Sequence, residues 1–302
     1  MKTSDLKEFA NKIKGKISFD YDIQKLNWFN IGGKTKIFFK PESLEELINF
    51  LKIYNKRGKI FVLGAGSNTL FSDKIYDGVV IKLGRIFSNI SLLNNNLIIA
   101  GSAVTDKKLS EFAKDNSIGG FEFLSCIPGS IGGGIRMNAG CFDGEFKNLL
   151  ISVQAVDFLG NILTIPSEKI KFNYRGSNLP KDLIFLSASF KGAISEKVNI
   201  QKLINELKKR KEQAQPSKIK TGGSTFKNPI DQTNEKVWKL IRESVSKDVK
   251  FGDAAISDKH SNFFINQKSA TFNEMKELIE YVRQQVKTKT GIKLDLEIVL
   301  VE

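Results

Sequence analysis

Residues 126–140, CIPGSIGGGIRMNAG, limit the fold of this chain more than any other part of the sequence. Five glycines and a proline within this segment leave few side chains that could pack a core. The segment is therefore predicted to be a loop whose backbone approaches a ligand closely and points its amides at it. A mobile connector is the alternative interpretation of such a loop.

A second glycine loop, VLGAGSNTL (62–70), follows a strand-like apolar run. Thr69 occupies the position where a Rossmann fingerprint needs its third glycine, and a strand pattern follows instead of a long helix. A Rossmann domain is therefore not expected. The loop still offers several backbone N–H groups to an anion, at Gly64, Ala65, Gly66, Ser67 and Asn68.

A third segment, NIGGKT (30–35), ends like a Walker A loop. Trp28 stands where that motif needs its first glycine, so a P-loop is excluded. The two remaining glycine loops each follow an apolar run. Together they predict a ligand that carries a diphosphate.

Composition and length point to a soluble globular protein of one or two domains. The chain has 302 residues, of which 41% are hydrophobic and 26% charged. No run of apolar residues is long enough for a membrane span, and MKTSDLKEFANKIKGK at the N-terminus lacks the apolar stretch of a signal peptide, so a cytoplasmic location is expected. Cys126, Cys141 and His260 are too few and too scattered for a structural zinc site, and free thiols are expected.

The net charge of +14 could indicate a nucleic-acid partner. Only 7 of the 47 basic residues are Arg, however, and the lysines are spread along the whole chain. Base and phosphate readers favour the planar fork of Arg, so a solvated lysine surface is the preferred interpretation. A basic protein also suits a substrate or cofactor that carries phosphates.

Periodicity predicts an α+β chain. Helices are predicted at 42–56 with a Ser43/Glu46 capping box, at 105–116 with Thr105 as N-cap, at 199–213, and at 271–289 with a Thr271/Glu274 capping box. Strands are predicted at 59–66, 77–83, 96–101, 151–158, 161–165, 183–190 and along the alternating 291–302. These elements interleave without regular βαβ units, which favours an α+β fold with a boundary near residue 198.

Eight motifs occur in a fixed order: NWFNIGG, VLGAGSN, GFEFLSCIPGSIGGGIRMNAG, YRGS, QPSKIKTGGSTFKNP, VWKLI, ISDKHSNFFIN and GIKLDLEI. With them the chain resembles the UDP-N-acetylenolpyruvoylglucosamine reductase family, in its shorter type II form, from about residue 26 to the end. The resemblance implies a FAD-binding domain of the vanillyl-alcohol-oxidase (PCMH) type at 1–198, with subdomains of about 1–84 and 85–198. A C-terminal α+β substrate-binding domain is expected at 199–302.

The resemblance also implies an activity. Members of the family reduce the enolpyruvyl double bond of UDP-N-acetylglucosamine enolpyruvate to give UDP-N-acetylmuramate, a precursor of peptidoglycan, with NADPH as reductant and FAD as cofactor. The expected partners are the UDP-sugar and NADPH, with no nucleic acid, no membrane insertion and a monomeric state. Another FAD-dependent oxidoreductase of the same flavin fold is the alternative.

Three residues match the catalytic positions of the family. Ser224 would donate the proton, and the permanently charged fork of Arg175 would stabilise the negative charge of an enolate-like intermediate. Glu297 would lie beside the substrate carboxylate, a role that needs a raised pKa. Without the resemblance, each would be interpreted as a structural or surface residue.

Other matching positions imply binding roles. The cofactor-binding positions are Gly64, Ala65, Gly66, Ser67, Asn68, Pro128, Gly129, Ser130, Gly132, Gly133, Asn138, Ala139 and Gly140. The substrate-binding positions are Tyr174, Lys227 and Asn228. Cys141 and Phe142 stand where Ala-Tyr is usual, so any hydroxyl role at 142 is lost. His260 matches a motif histidine, for which a structural, hydrogen-bonded role is favoured.

Overall fold

A computed structural model describes residues 3–302, so the first two residues of the predicted FAD-binding domain lie outside the described range. The described residues form seven α-helices: α1 (Thr3–Ala10), α2 (Leu44–Tyr54), α3 (Asp106–Asp115), α4 (Ile131–Met137), α5 (Lys197–Ala214), α6 (Val237–Ser244) and α7 (Phe272–Thr290).

Strands of two to nine residues lie between the helices. In chain order they are β1 (Lys16–Asp22), β2 (Lys34–Lys40), β3 (Lys59–Val62), β4 (Thr69–Phe71), β5 (Tyr76–Ile81), β6 (Ile90–Asn94), β7 (Leu97–Gly101), β8 (Ile118–Gly119), β9 (Gly140–Cys141), β10 (Gly144–Glu145), β11 (Leu150–Asp157), β12 (Ile162–Pro166), β13 (Phe172–Asn173), β14 (Gly176–Ser177), β15 (Leu183–Lys191), β16 (Ala193–Ile194), β17 (Lys220–Ser224), β18 (Lys250–Phe251), β19 (Ala254–Ser257), β20 (His260–Asn266) and β21 (Val299–Val301).

All four predicted helices are confirmed, as α2, α3, α5 and α7. Thr105 caps α3, and the capping box of Thr271 and Glu274 is complete at α7. At α2 only one of the two hydrogen bonds of the predicted Ser43/Glu46 capping box is present. Ser43 accepts from the Glu46 N–H, but the Glu46 carboxylate accepts from the N–H groups of Lys14 and Glu42 instead of that of the cap residue.

Six predicted strands are confirmed within a few residues, as β3, β5, β7, β11, β12 and β15. The predicted strand over 291–302 is wrong for most of its length, because only Val299–Val301 pairs as a strand, parallel to Thr69–Phe71. Residues before it run beside an irregular segment and make a single bridge, between Leu296 and Phe226. Without a continuous partner strand the ladder cannot form.

The chain packs as two compact units. The first comprises Met1–Asp20, Lys36–Ala65 and Asp77–Arg210. It holds a four-stranded sheet of order β1-β2-β5-β3 and a five-stranded sheet of order β12-β11-β15-β7-β6. Apolar side chains from both sheets and from α2 share one core, and a second core under α3 and α4 is filled by Phe121, Phe146 and Phe190. This unit holds the whole second glycine loop and the first loop as far as Ala65.

The second unit comprises Tyr21–Thr35, Gly66–Tyr76 and Lys211–Glu302. Its four-stranded sheet has the order β17-β20-β19-β18, and α6 and α7 pack on it around Phe226, Phe264 and Met275. Tyr21–Thr35 and Gly66–Tyr76 belong to this unit although they are far in sequence from its C-terminal residues. The predicted domain boundary near residue 198 stays a prediction, because groups of mutually packed residues are not thereby separate domains.

Candidate active site

The first glycine loop begins where β3 ends, and a lysine lies against it. Lys82 follows β5, which pairs parallel with β3, so the two chain ends leave the sheet side by side. Lys82 Nζ donates to the Gly64 carbonyl oxygen at 3.0 Å. Burial lowers the pKa of Lys82, and the charge of Lys40 lowers it further. Lys82 was not among the predicted site residues; its position after a strand that pairs with β3 was the available signal.

The two glycine loops touch at Ser130. Its side chain is 5% exposed, and its Oγ has no hydrogen-bond partner among the described residues. A Cβ placed on Gly64 would lie 2.5 Å from that oxygen, so only glycine fits while the Ser130 hydroxyl keeps this position. A buried hydroxyl without a partner is costly unless a ligand satisfies it. This position therefore fits a polar ligand that runs along Gly64, as a diphosphate cofactor would.

The prediction that the amides of the second glycine loop point at a ligand is partly wrong. Residues Ile131–Met137 form the short helix α4, whose preceding residue is Ser130. The amides of Ile131 and Gly132 donate to the carbonyl oxygens of Val104 and Ser102, both at 2.9 Å. Because the protein itself uses these two donors, they do not point at a ligand.

A buried carboxyl group lies behind the second glycine loop. The Asp106 side chain is 0% exposed and packs against Gly129. Burial raises the pKa of Asp106 well above its usual range, and the Gly129 backbone lowers it by less. The carboxyl group is therefore protonated more readily than an exposed aspartate.

Arg175 lies at the turn of a hairpin formed by β13 and β14. Its backbone is left-handed, with φ +54°, an uncommon conformation for a residue with a side chain. Its Nη2 donates to the Gly140 carbonyl oxygen at 2.8 Å, and its Nη1 lies 3.9 Å from Glu145 Oε1. The guanidinium also stacks over the ring of Tyr174, 4.9 Å from the ring centroid. These contacts fix the direction of the cation.

Asn138 ties the loop after α4 to the same hairpin. Its Nδ2 donates to Glu145 Oε2 and to the Asn173 carbonyl oxygen, both at 3.1 Å, and its Oδ1 accepts from the Lys147 N–H. The side chain is fully buried, so these internal bonds are its role in the described structure. A direct contact between Asn138 and the cofactor stays a prediction.

Charge around Glu145 supports this arrangement. Although burial raises the pKa of Glu145, hydrogen bonds from Lys147 and Asn138 and the charges of Lys147 and Arg175 leave it below its usual value. The group is thus an anion beside the Arg175 cation. Cys126 is buried, Cys141 is half-buried, and neither forms a disulfide bond within residues 3–302. Glu145 is a further residue that sequence reasoning missed.

In the second unit, Ser224 ends β17 at a β-bulge. Thr221 pairs with Ile265 and Ser224 with Phe263, so β17 has one residue more than β20 between these pairs. Gly223 takes a left-handed conformation with φ +79° to absorb it, and a Cβ on Gly222 would clash with the buried ring of Phe29. The Gly-Gly pair is therefore a structural requirement of the turn that presents Ser224.

Glu297 is held next to this turn by its backbone. Its N–H donates to the Thr225 carbonyl oxygen at 2.8 Å, and its own carbonyl oxygen accepts from Asn68 Nδ2 at 2.9 Å. The Asn68 carbonyl oxygen in turn accepts from the Val299 N–H. The second unit thus brings together three predicted positions: Ser224, Glu297 and Asn68.

The other predicted positions divide between the units. Ala65 ends a segment of the first unit, and Pro128, Gly133, Ala139 and Gly140 also lie there; Gly66 and Ser67 belong to the second. The Lys227 N–H donates to the Asp295 carbonyl oxygen at 2.8 Å, and Asn228 Oδ1 accepts from the Val237 N–H at the start of α6. Asn228 therefore orders the helix start as well as lying in the predicted substrate segment.

His260 has a structural environment. It is half-buried between Trp238 and Phe263, and its Nδ1 accepts from the Asn262 N–H at 3.3 Å. Burial lowers the pKa of His260 below its usual value. Within residues 3–302, no three His, Cys, Asp or Glu side chains group as metal ligands. Along the same residues, none of the helices combines the length and apolar character that a membrane span requires.

The fold and the glycine loops define a FAD-binding flavoprotein. Residues 35–166, which include both loops, match the model of the FAD binding domain family. Residues 215–301 match the model of the UDP-N-acetylenolpyruvoylglucosamine reductase C-terminal domain, and this range includes Ser224 and Glu297. The predicted fold class, α+β with a FAD-binding domain followed by a C-terminal domain, is confirmed.

Whole-chain relatives specify the family. UDP-N-acetylenolpyruvoylglucosamine reductase of Pelagibacter ubique (strain HTCC1062) is 60% identical over 298 residues, 99% of each chain. The enzyme of the same name from Rickettsia conorii is 44% identical, over 95% of this chain and 96% of its own. A crystal structure of the Thermus caldophilus enzyme superposes with a TM-score of 0.81 at 27% identity, covering 96% of this chain and 100% of that one. The chain belongs to the UDP-N-acetylenolpyruvoylglucosamine reductase family.

Proposed function

We propose that this protein reduces the enolpyruvyl double bond of UDP-N-acetylglucosamine enolpyruvate to give UDP-N-acetylmuramate, with NADPH and FAD, in the synthesis of peptidoglycan precursors. The observation that carries the proposal is the backbone link between the Ser224 turn, Glu297 and Asn68 in the second unit. Membership of the family, over nearly the whole chain, supports it.

The first unit would hold the cofactor through its glycine loops. Gly64 admits the diphosphate, the Ser130 hydroxyl donates a hydrogen bond to it, and Lys82 supplies a positive charge beside the loop. FAD, when bound, supplies the substrate with the hydride taken from NADPH.

Three side chains carry the rest of the chemistry. The Ser224 hydroxyl donates a proton to the carbon next to the one that accepts hydride, which works because that carbon is strongly basic at this stage. The Arg175 guanidinium, oriented by Gly140 and Glu145, stabilises the negative charge that develops on the substrate. Glu297 lies beside the substrate carboxylate, and Tyr174, Lys227 and Asn228 contact the substrate.

The remaining features of the proposal concern the setting of the enzyme. A cytoplasmic location, a monomeric state and the absence of a nucleic-acid partner are proposed from the sequence. The division into a FAD-binding domain at 1–198 and a substrate-binding domain at 199–302 is proposed on the same basis.

Rapid mixing of the flavin-loaded protein tests the function and the role of Ser224 together. In Ser224→Ala, NADPH should bleach the flavin as fast as in the native protein. Reoxidation by UDP-N-acetylglucosamine enolpyruvate should slow by about 100-fold or more, the usual contribution of a positioned proton donor. Ser217→Ala, an exposed serine in the same segment, is the control and should change neither rate.

Two outcomes would contradict the proposal at different levels. Unchanged reoxidation in Ser224→Ala would remove this hydroxyl from the mechanism but leave the activity intact. A native protein that takes up FAD and is reduced by NADPH, yet is not reoxidised by the enolpyruvyl substrate, would exclude the proposed activity.

A further inference from the structure

The segment that follows Ser224 leaves the regular sheet but stays bonded to β20 through one side chain. Asn262 lies within β20 and is 1% exposed. Its Oδ1 accepts from the Phe226 N–H at 3.0 Å, and its Nδ2 donates to the Phe226 carbonyl oxygen at 2.8 Å. Its backbone carbonyl oxygen accepts from the Thr225 N–H at 2.8 Å. The carboxamide thus replaces a partner strand for the backbone of Phe226.

The opposite side of the same segment is bonded to the segment that carries Glu297. The Thr225 carbonyl oxygen accepts from the Glu297 N–H, and the Lys227 N–H donates to the Asp295 carbonyl oxygen, both at 2.8 Å. Residues 225–227 therefore lie between Asn262 and Glu297. Any shift of the Phe226 backbone moves the attachment of Glu297 as well as that of Ser224, two residues earlier.

Only an uncharged group with one donor and one acceptor can make both bonds to Phe226. An asparagine side chain offers both on one planar group, whereas an ionised aspartate offers acceptors alone. Because the Phe226 backbone is buried, its N–H and C=O would be left without partners if the carboxamide were lost.

We infer that Asn262 is a positioning residue for the proton-transfer step. Its carboxamide holds residues 225–227 in the one register that places the Ser224 hydroxyl and the Glu297 carboxyl correctly relative to each other. The inference rests on the proposed roles of Ser224 and Glu297. A proton donor must lie within hydrogen-bond reach of its acceptor, and a displacement of about 1 Å can slow a step by about 100-fold.

Asn266 is a matched control on the same strand. It is 4% exposed, its Nδ2 donates to the Phe29 carbonyl oxygen at 2.9 Å, and its Oδ1 accepts from the Ala270 N–H at 2.8 Å. The residue type, the burial and the pair of bonds are thus the same as for Asn262. Asn266 makes no such bond to residues 225–227 and reaches the Ser224 turn only through Phe29, whose ring packs beside Gly222, so its loss should affect stability more than the placement of Ser224.

The test compares Asn262→Asp with Asn266→Asp in the flavin-loaded protein. In Asn262→Asp, reduction of the flavin by NADPH should stay within about twofold of the native rate. Reoxidation by the enolpyruvyl substrate should slow by about 100-fold. The slowing should grow as the pH is raised, because a protonated carboxyl group can still donate to Phe226 and an ionised one cannot. Asn266→Asp should lower the melting temperature to a similar degree but slow reoxidation far less than Asn262→Asp does.

A double variant separates positioning from general damage. Ser224→Ala combined with Asn262→Asp should be no slower than Ser224→Ala alone, because a proton donor that is absent cannot be misplaced. Should Asn262→Asp fail to fold, Asn262→Gln keeps both polar groups on a longer stem. It should likewise slow reoxidation while sparing reduction.

The outcomes distinguish a failure of the positioning role of Asn262 from a failure of the proposed role of Ser224. Normal reoxidation in both Asn262 variants, or equal slowing in Asn262→Asp and Asn266→Asp, would overturn the positioning role. The same holds if the double variant is much slower than Ser224→Ala. If Ser224→Ala itself does not slow reoxidation, the failure lies in the proposed role of Ser224.

Discussion

Ser130 and Gly64 are the two residues at which the glycine loops meet. The Ser130 hydroxyl is buried without a partner among residues 3–302, and no side chain fits on the Gly64 side of it. Native proteins rarely keep such a hydroxyl unless a ligand or water satisfies it. Because Ser130 and Gly64 both lie in the range that matches the FAD binding domain family, we propose the cofactor as the partner of this hydroxyl.

Ser130→Ala should weaken FAD binding by a few-fold to about tenfold, the loss of one hydrogen bond of about 0.5–1.5 kcal/mol. Titration of the flavin-free protein with FAD, followed by flavin fluorescence, measures the change. Ser110→Ala is the matched control, because the Ser110 hydroxyl is also buried without a partner but lies in α3. An equal effect of the two substitutions would mean that Ser130 acts only through packing.

Gly64 and Ser130 were predicted from local sequence because glycine patterns are visible in the chain itself. Lys82, Asp106 and Asn262 were not. Lys82 meets Gly64 only because β3 and β5 pair, and Asn262 meets Phe226 across 36 residues of sequence. Such contacts come from tertiary packing, which a single sequence does not display.

The Gly-Gly bulge of β17 is the element that aims the proposed proton donor. It inserts one extra residue opposite β20 and lets the chain turn away after Ser224. The buried ring of Phe29 fills the space beside Gly222, while nothing lies within 4 Å of a Cβ on Gly223. The two glycines are thus required for different reasons, one steric and one conformational.

Alanine at each position should reveal this difference. Gly222→Ala should lower the free energy of unfolding by about 1–3 kcal/mol through overpacking against Phe29. Gly223→Ala should cost about 1 kcal/mol, because φ is positive there. Urea unfolding of the flavin-loaded protein measures both losses.

Gly291→Ala is the control for Gly223→Ala. Gly291 ends α7 with φ +74°, and its Cβ would also meet nothing within 4 Å. Its stability loss should be similar, but only Gly223→Ala should slow reoxidation by the substrate. If both variants reoxidise at the native rate, the bulge does not control the placement of Ser224.

Elements with strong local signals were predicted well. Helix α7 has a capping box at Thr271 and a glycine after its end, and both are confirmed. The alternating pattern over 291–302 gave a strand prediction that is wrong for most of that range. Side chains can be buried on alternate sides of a segment that has no partner strand, and only Val299–Val301 pairs with one. Helix α4 was missed because three consecutive glycines are poor helix formers, although its backbone bonds to Val104 and Ser102 anchor it.

At the scale of the whole molecule, the chain does not divide at one point. Tyr21–Thr35 and Gly66–Tyr76 pack with the C-terminal residues, so the second unit is assembled from three segments. The parallel pair of Thr69–Phe71 with Val299–Val301 illustrates why. Composition and periodicity show no change at these segments, and the grouping depends on contacts across more than 200 residues.

The net positive charge is a property of the whole molecule and not of a single site. The net charge is +14, with 40 lysines spread along the sequence, while the UDP-sugar and NADPH each carry several phosphate charges. A field of this sign attracts both molecules before they contact any residue, and salt screens it. The charge is therefore expected to act on association rather than on the chemical step.

The apparent second-order rate constant kcat/KM for NADPH should accordingly fall several-fold as ionic strength rises from about 0.01 M to about 0.15 M, where the screening length shrinks from about 30 Å to about 8 Å. The value of kcat should change little, because screening does not alter the bound complex. Steady-state rates in sodium chloride and in potassium acetate at equal ionic strength separate screening from specific ion binding, since only screening makes the two curves coincide. A kcat/KM that does not depend on ionic strength would mean that the lysine surface serves solubility alone, and that local groups such as Lys82 provide all of the attraction for phosphates.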